Sequence, residues 1–166
     1  MPVAQAAFTQ AMSRVPAPVT VATTTDRDGR HWGFTASSFT SLSLDPQLVL
    51  ICLDKAASTH AAFTAADRFL VNILADDQSE VAVRFATSNI DRFAAGDLVT
   101  CELGLPGLES ATARLACTTH RILDGGDHSI LVGRVEQLYT GSRPPLVYSD
   151  RRFTRPVPLD QPARAR

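Results

Sequence analysis

The chain has 166 residues, 45% of them hydrophobic, and its 16 basic and 17 acidic side chains leave a formal charge of −1. A chain of this length buries roughly 68–70% of its unfolded surface in one core, which predicts a single domain over residues 1–155. The balanced charge excludes bulk attraction to nucleic acid or to an anionic membrane, so partners must be recognised at a site.

Ala4, Phe8, Met12 and Val15 recur at helical spacing and Pro16 with Pro18 ends the pattern, so a short amphipathic helix opens the chain. Residues 19–25 are rich in β-formers, Asp26-Arg27-Asp28-Gly29 is a turn, and residues 31–36 return as the second arm of a hairpin. Thr40, Leu42 and Leu44 share one face of the next strand and Ser41 and Ser43 the other. After Asp45-Pro46 the wholly apolar run 48–53 predicts a buried strand. Residues 58–66 suit a short helix and 69–74 a strand, while Asp77-Gln78-Ser79-Glu80 reads as a capping box opening a helix through about Phe85. Residues 112–123 and 129–139 are strands around a turn at Asp124-Gly125-Gly126-Asp127, and the tail 156–166, rich in Pro, Ala and Arg, is expected to be poorly ordered. Antiparallel strands in succession, with few and short helices, argue for a barrel rather than a doubly wound sheet.

Cys52, Cys101 and Cys117 form no C-x-x-C pair, and an odd number leaves one thiol unpaired, so a reduced, cytoplasmic setting is the simplest reading. No basic region followed by an apolar stretch opens the chain, and its longest apolar run is too short to span a bilayer, so no membrane partner is expected. The four histidines are scattered and join no cysteine cluster, so no metal is expected. Neither G-x-G-x-x-G nor G-x-S-x-G occurs, which leaves a Rossmann nucleotide site and a hydrolase elbow unsupported.

The segment 33–59, GFTASSFTSLSLDPQLVLICLDKAAST, concentrates the chemistry. Thr35, Ala36, Ser37, Ser38 and Ser41 offer hydroxyls and light backbone to which the edge of a flat ring can come close. Asp54 and Lys55, followed by Ser58 and Thr59 where a helix can begin, form a sound phosphate site. The same residues also describe an ordinary half-exposed strand and an ordinary helix cap, and composition leaves the two readings level.

The order G-F-T-A-S-S-F-x-S-L-S-x-D-P-x-L-V-x-I-C-L-x-K within this segment resembles that of the small flavin reductases, the NAD(P)H-dependent partners of two-component flavin monooxygenases. The likeness extends from about Phe8 to Phe153 and departs at Gln47, where a second Pro is common. It implies an FMN-binding split β-barrel, mainly β and antiparallel with short helices, that forms a homodimer. It also implies FMN or FAD as flavin, NADH or NADPH as co-substrate, and a flavin-dependent monooxygenase as partner.

Carried onto this chain, the resemblance makes Thr35, Ala36, Ser37, Ser38, Ser41, Cys52, Leu53, Asp54, Lys55, Ser58 and Thr59 the cofactor-binding positions. Cys52, inside the apolar run, reads by itself as packing. Asn72-Ile73-Leu74 and Arg84-Phe85 match two further family segments; Arg84 is a candidate for a phosphate, and Phe85 reads as core or as a wall of the ring site. Asp127-His128-Ser129-Ile130 with Val132-Gly133 matches the segment that begins a late strand, and implies His128 on the nicotinamide side as the catalytic residue; alone it reads as a turn histidine. Leu146-Val147-Tyr148 with Arg151 and Phe153 matches the C-terminal segment, implying Tyr148 and Arg151 at the nicotinamide, with Arg151 and Arg152 undistinguished. The expected activity is hydride transfer from NAD(P)H to flavin. Two alternatives are a flavin enzyme like pyridoxamine-phosphate oxidase and a carrier or sensor without turnover.

Overall fold

The computed structural model describes residues 1–160; the last part of the expected tail, 161–166, lies outside the described residues, and 156–160 are exposed without regular secondary structure. In chain order the elements are α1 (Gln5–Ser13), β1 (Ala17–Pro18), β2 (Thr20–Thr25), β3 (His31–Ala36), β4 (Thr40–Leu44), β5 (Gln47–Asp54), α2 (His60–Ala65), β6 (Arg68–Ile73) and α3 (Ser79–Ala86). There follow β7 (Leu98–Thr100), a 3-10 turn (Glu102–Gly104), β8 (Pro106–Leu108), β9 (Ala113–Gly125), β10 (His128–Thr140), β11 (Val147–Ser149) and β12 (Arg152–Thr154).

Seven strands form one antiparallel sheet in the order β3-β2-β6-β9-β10-β5-β4. Alternate side chains of β2, β3, β5, β6, β9 and β10 meet in a single apolar cluster that includes Ala22, Phe34, Ile51, Phe69, Cys117 and Leu131. Residues so far apart in strand order share one core only if the sheet curls on itself, and β3 and β5 approach without hydrogen bonding to each other, so the barrel is split there. Phe63 of α2 belongs to the same cluster and packs edge-on against Phe34, with ring centroids 4.8 Å apart.

The opposite faces of β2 and β6 are covered too, which is why their side chains are buried almost without alternation. Val19 and Val21 pack against Ala82 and Phe85 of α3 and against Leu108, while Leu70 meets Leu105 and Ala116. Thr20 Oγ1 donates to Ala36 O and Thr24 Oγ1 to Arg68 O, each at 2.8 Å. The largely buried Arg114 makes two 2.8 Å contacts with Glu102 and donates to the carbonyls of Leu108 and Glu109.

Several local expectations are corrected. The run 48–53 is not wholly buried: Val49, Ile51 and Leu53 enter the core while Leu48, Leu50 and Cys52 stay half-exposed, because β5 has only one face on the barrel interior. On the edge strand β4, Leu42 and Leu44 point outward, 51% and 84% exposed. No capping box opens α3; Asp77 turns away to Arg143, and Gln78 Oε1 instead accepts from the Ala75 N–H at 2.8 Å. The reversal between β9 and β10 is tighter than the four-residue turn, since Gly125 pairs with His128 and only Gly126 and Asp127 lie outside the ladder, Gly126 at φ +82°. The opening helix forms, yet none of its residues is buried, and Phe8 is 58% exposed.

Candidate functional site

Beside the split, the ends of β3 and β5, the loop before α2, the end of α3 and the segment 87–93 enclose a cavity of about 530 Å³. Phe34, Thr35, Phe85 and Ala86 form one wall, Cys52, Leu53 and Asp54 another, and Ser58, Thr59, Asn89 and Arg92 converge at one end. His128 lies at the end of β5 from which the loop to Ser58 and Thr59 departs, because β10 pairs with β5 in a register that sets His128 against Asp54, and the neighbouring Ser129 Oγ meets His60 Nε2 at 2.9 Å. The structure therefore gathers Thr35, Cys52, Leu53, Asp54, Ser58, Thr59, Phe85 and His128, drawn from segments almost a hundred residues apart.

Thr59 is 3% exposed and its Oγ1 has no hydrogen-bond partner among the described residues, although it occupies the N-cap position of α2. An orphaned buried hydroxyl costs about 1–3 kcal/mol unless something else meets it. Arg92 lies alongside: Nη1 donates to Gly33 O at 2.7 Å and Nε to Thr87 O at 3.1 Å, which fixes the plane of the guanidinium. Burial holds its pKa below the ordinary arginine value. A half-buried, oriented cation beside an unsatisfied hydroxyl fits a phosphate ester, so the residues present suit a flavin nucleotide.

His128 Nδ1 donates to Asp127 Oδ1 at 2.7 Å, and this contact holds the Asp127 carboxyl below the usual range. Nε2 of His128 makes no hydrogen bond among the described residues. Next to it, Lys55 Nζ contacts Asp124 and donates to Gly126 O at 2.7 Å, so this lysine braces the β9–β10 hairpin.

Not every expected position reaches the cavity. Ala36 is part of the barrel core, and Ser38 Oγ accepts from the Cys52 N–H at 2.9 Å, tying the end of β3 to β5. Ser41 is exposed on the edge strand. Asn72 is fully buried and its carboxamide is consumed structurally, donating to Val21 O and accepting from the Leu108 N–H, both at 2.9 Å. Lys55 points to the hairpin. Arg84 is held by both carboxylate oxygens of Asp97 at 2.7 and 2.6 Å and lies outside this cavity.

The guanidinium that lines this cavity is Arg92, which the sequence reading did not single out, and with it come Asn89, at φ +61°, and Ser88. The run Ser88-Asn89-Ile90-Asp91, three of whose residues are turn formers, ahead of an arginine was the available signal.

A second cavity of about 670 Å³ adjoins through Thr35 and Ala86 and is lined by Ser37, Tyr148, Arg151, Arg152 and Phe153. Both arginines reach it. Tyr148 and Phe153 pack edge-on at 5.3 Å, and Arg151 sits with Asp150 in the tight β11–β12 turn at φ +60° and +49°. Trp32 lines a third cavity, of about 590 Å³, on the far side of Ser58 and Thr59.

Residues 12–156 match the family described as flavin reductase like domain. The actinorhodin polyketide dimerase of Streptomyces coelicolor is 41% identical over 90% of this chain and 85% of its own length. The NADH:riboflavin 5'-phosphate oxidoreductase of Streptomyces pristinaespiralis is 42% identical over 91% and 88%. The reductase component of the flavin-dependent trigonelline monooxygenase of Acinetobacter baylyi is 44% identical over 71% of this chain, which covers 38% of that protein. Among solved structures, the NADH:FAD oxidoreductase SgcE6 of Streptomyces globisporus, in complex with NAD and FAD fragments, superposes with a TM-score of 0.88 at 36% identity over 95% of both chains.

Proposed function

The chain belongs to the flavin reductase like family, and from that premise we propose that residues 1–155 form one NADH-dependent flavin reductase domain that moves a hydride from reduced nicotinamide to FMN or FAD and supplies the reduced flavin to a monooxygenase component. The observation that carries this reading is the cavity at the barrel split. It brings together, beside core residues Phe34, Leu53 and Phe85, an orphaned hydroxyl, an oriented arginine and a histidine.

Bound flavin supplies the hydride-accepting ring. This chain's own residues do the rest. Thr59 and Arg92, with Ser58 and Asn89, hold the phosphate. Leu53, Phe34 and Phe85 back the slot from the core, while Thr35 and Cys52 line it beside the ring. His128, fixed by Asp127, carries a proton on Nδ1 and offers Nε2 to the nicotinamide side, where it positions the carboxamide or passes a proton. Tyr148 and Arg151 border the adjoining cavity and receive the rest of the nicotinamide nucleotide.

The functional unit is a homodimer in this reading. Phe8 and Met12 on α1 and Val15 just after it, with Tyr148 and Phe153 close to the second cavity, are large apolar side chains left 37–58% exposed on one chain. Asp150 ties the two groups together, accepting from Arg14 at 3.0 Å and donating its N–H to Ser13 O at 2.7 Å.

The deciding experiment is anaerobic consumption of NADH and NADPH by the purified chain with FMN or FAD, following nicotinamide and flavin absorbance together. Turnover with one flavin reduced per nicotinamide oxidised establishes the reductase; flavin binding without turnover would favour a carrier or sensor.

A further inference from the structure

Resting on the flavin reductase reading, we propose that the third cavity takes the adenylate half of FAD, so that this chain prefers FAD over FMN. The anion-binding groups do not close the flavin slot. Ser58, Thr59, Asn89 and Arg92 line both the slot and the 590 Å³ cavity, and form a junction between them. A mononucleotide whose phosphate reaches Thr59 and Arg92 stops at this junction. A dinucleotide keeps its second phosphate there and continues into a space within the usual range for small-molecule sites.

The far space is built for a planar, electron-rich group. The Arg30 guanidinium lies over the Trp32 ring, 4.1 Å from its centroid, and leaves its outer face to solvent. That stack is fixed from below: Trp32 Nε1 donates to Asp26 Oδ2 at 2.8 Å, and Asp26 Oδ1 accepts from the N–H groups of Asp28 and Arg30, each at 2.9 Å. These bonds, the indole's first, hold the Asp26 carboxyl below its usual range. His31 and Phe93 meet edge-on at 5.5 Å on the same rim. An oriented guanidinium platform next to a second arginine suits a purine joined to a diphosphate. NADH carries the same adenylate, but the junction residues are those that hold the flavin's own phosphate, which assigns the cavity to the flavin.

The test measures dissociation constants of the purified chain for FMN and FAD by flavin fluorescence, with wild type, Arg30→Ala and Arg30→Lys. Arg30 is exposed, so neither change threatens folding. FAD should bind about tenfold tighter than FMN, and Arg30→Ala should remove about that factor for FAD while FMN serves as an unchanged reference. Arg30→Lys, which keeps the charge without the plane, should behave nearer to Ala than to wild type. Equal affinities that Arg30→Ala leaves untouched would overturn this inference and leave the reductase reading standing. A raised KM for NADH with FMN as acceptor, with FAD affinity unaltered, would overturn it in favour of the nicotinamide nucleotide. Absence of binding by both flavins would overturn the underlying reading and this one with it.

Discussion

Thr59 is the residue whose environment makes least sense without a ligand. Its buried hydroxyl finds no partner within the described chain, so Thr59→Val should leave thermal stability unchanged or raised, because an unsatisfied polar atom is removed at constant shape. The same variant should weaken FMN binding about tenfold while riboflavin, which lacks the phosphate, is unaffected; equal losses for both would mean that Thr59 contacts the ring instead. For His128, His128→Asn should lower kcat/KM for NADH by about a hundredfold at unchanged flavin affinity, and a collapse of flavin binding would assign His128 to the flavin instead. Cys117 is a different case, buried in the barrel core with its thiol pushed up to about 12 by burial first and the Glu136 charge second. The folded state therefore keeps a proton that the unfolded chain loses near its ordinary value of 9.0. That contribution is fully present below pH 9 and is lost as pH rises towards 12, with a slope approaching about 1.4 kcal/mol per pH unit. Denaturant titrations at stepped alkaline pH should reveal this slope in wild type and its absence in Cys117→Ala.

At the level of elements, the seam between β3 and α3 shapes the slot. Thr35 Oγ1 donates to Ala82 O at 2.6 Å, and a methyl group at Gly33 would stand 2.7 Å from Phe85 Cε1, so the strand and the helix are in closest approach where the cavity wall forms. Gly33→Ala must displace Phe85, at a cost of about 1–3 kcal/mol typical of overpacking. It should also weaken flavin binding, since Phe85 lines the slot and the Gly33 carbonyl orients Arg92. A lowered unfolding midpoint with unaltered flavin affinity would show that the wall tolerates the shift. The periodicities of the strands were legible in the sequence because alternation is a local property of a pleated backbone. The capping box was not, because Asp77 has a stronger partner in Arg143, 66 residues away in sequence.

For the whole molecule, the exposed apolar side chains of α1 and of the β11–β12 hairpin set the expected assembly. Sedimentation of the purified chain should give twice the chain mass, and Phe8→Glu, at a position 58% exposed in the single chain, should shift it to the monomer. A monomeric wild type would leave this surface for another partner, the monooxygenase component being the first to test. Among the described residues no helix is long and apolar enough to cross a membrane.

The sequence by itself determined the helices, the long strands β2 to β6, β9 and β10 with their antiparallel character and, through the segment 33–59 and the pair Asp127-His128, several residues that line the cavity. These are carried by spacing along a few residues, or by contiguous motifs, and so survive without knowledge of long-range contacts. Only the tertiary structure decided which arginine lines the cavity. Arg84 and Arg92 are both arginines within or just beyond α3, and nothing local separates them; Asp97 neutralises the first, while the Gly33 and Thr87 carbonyls turn the second to the junction. The partners of Asn72 were hidden for the same reason, since whether a polar side chain satisfies buried backbone depends on strands that meet it from elsewhere in the chain.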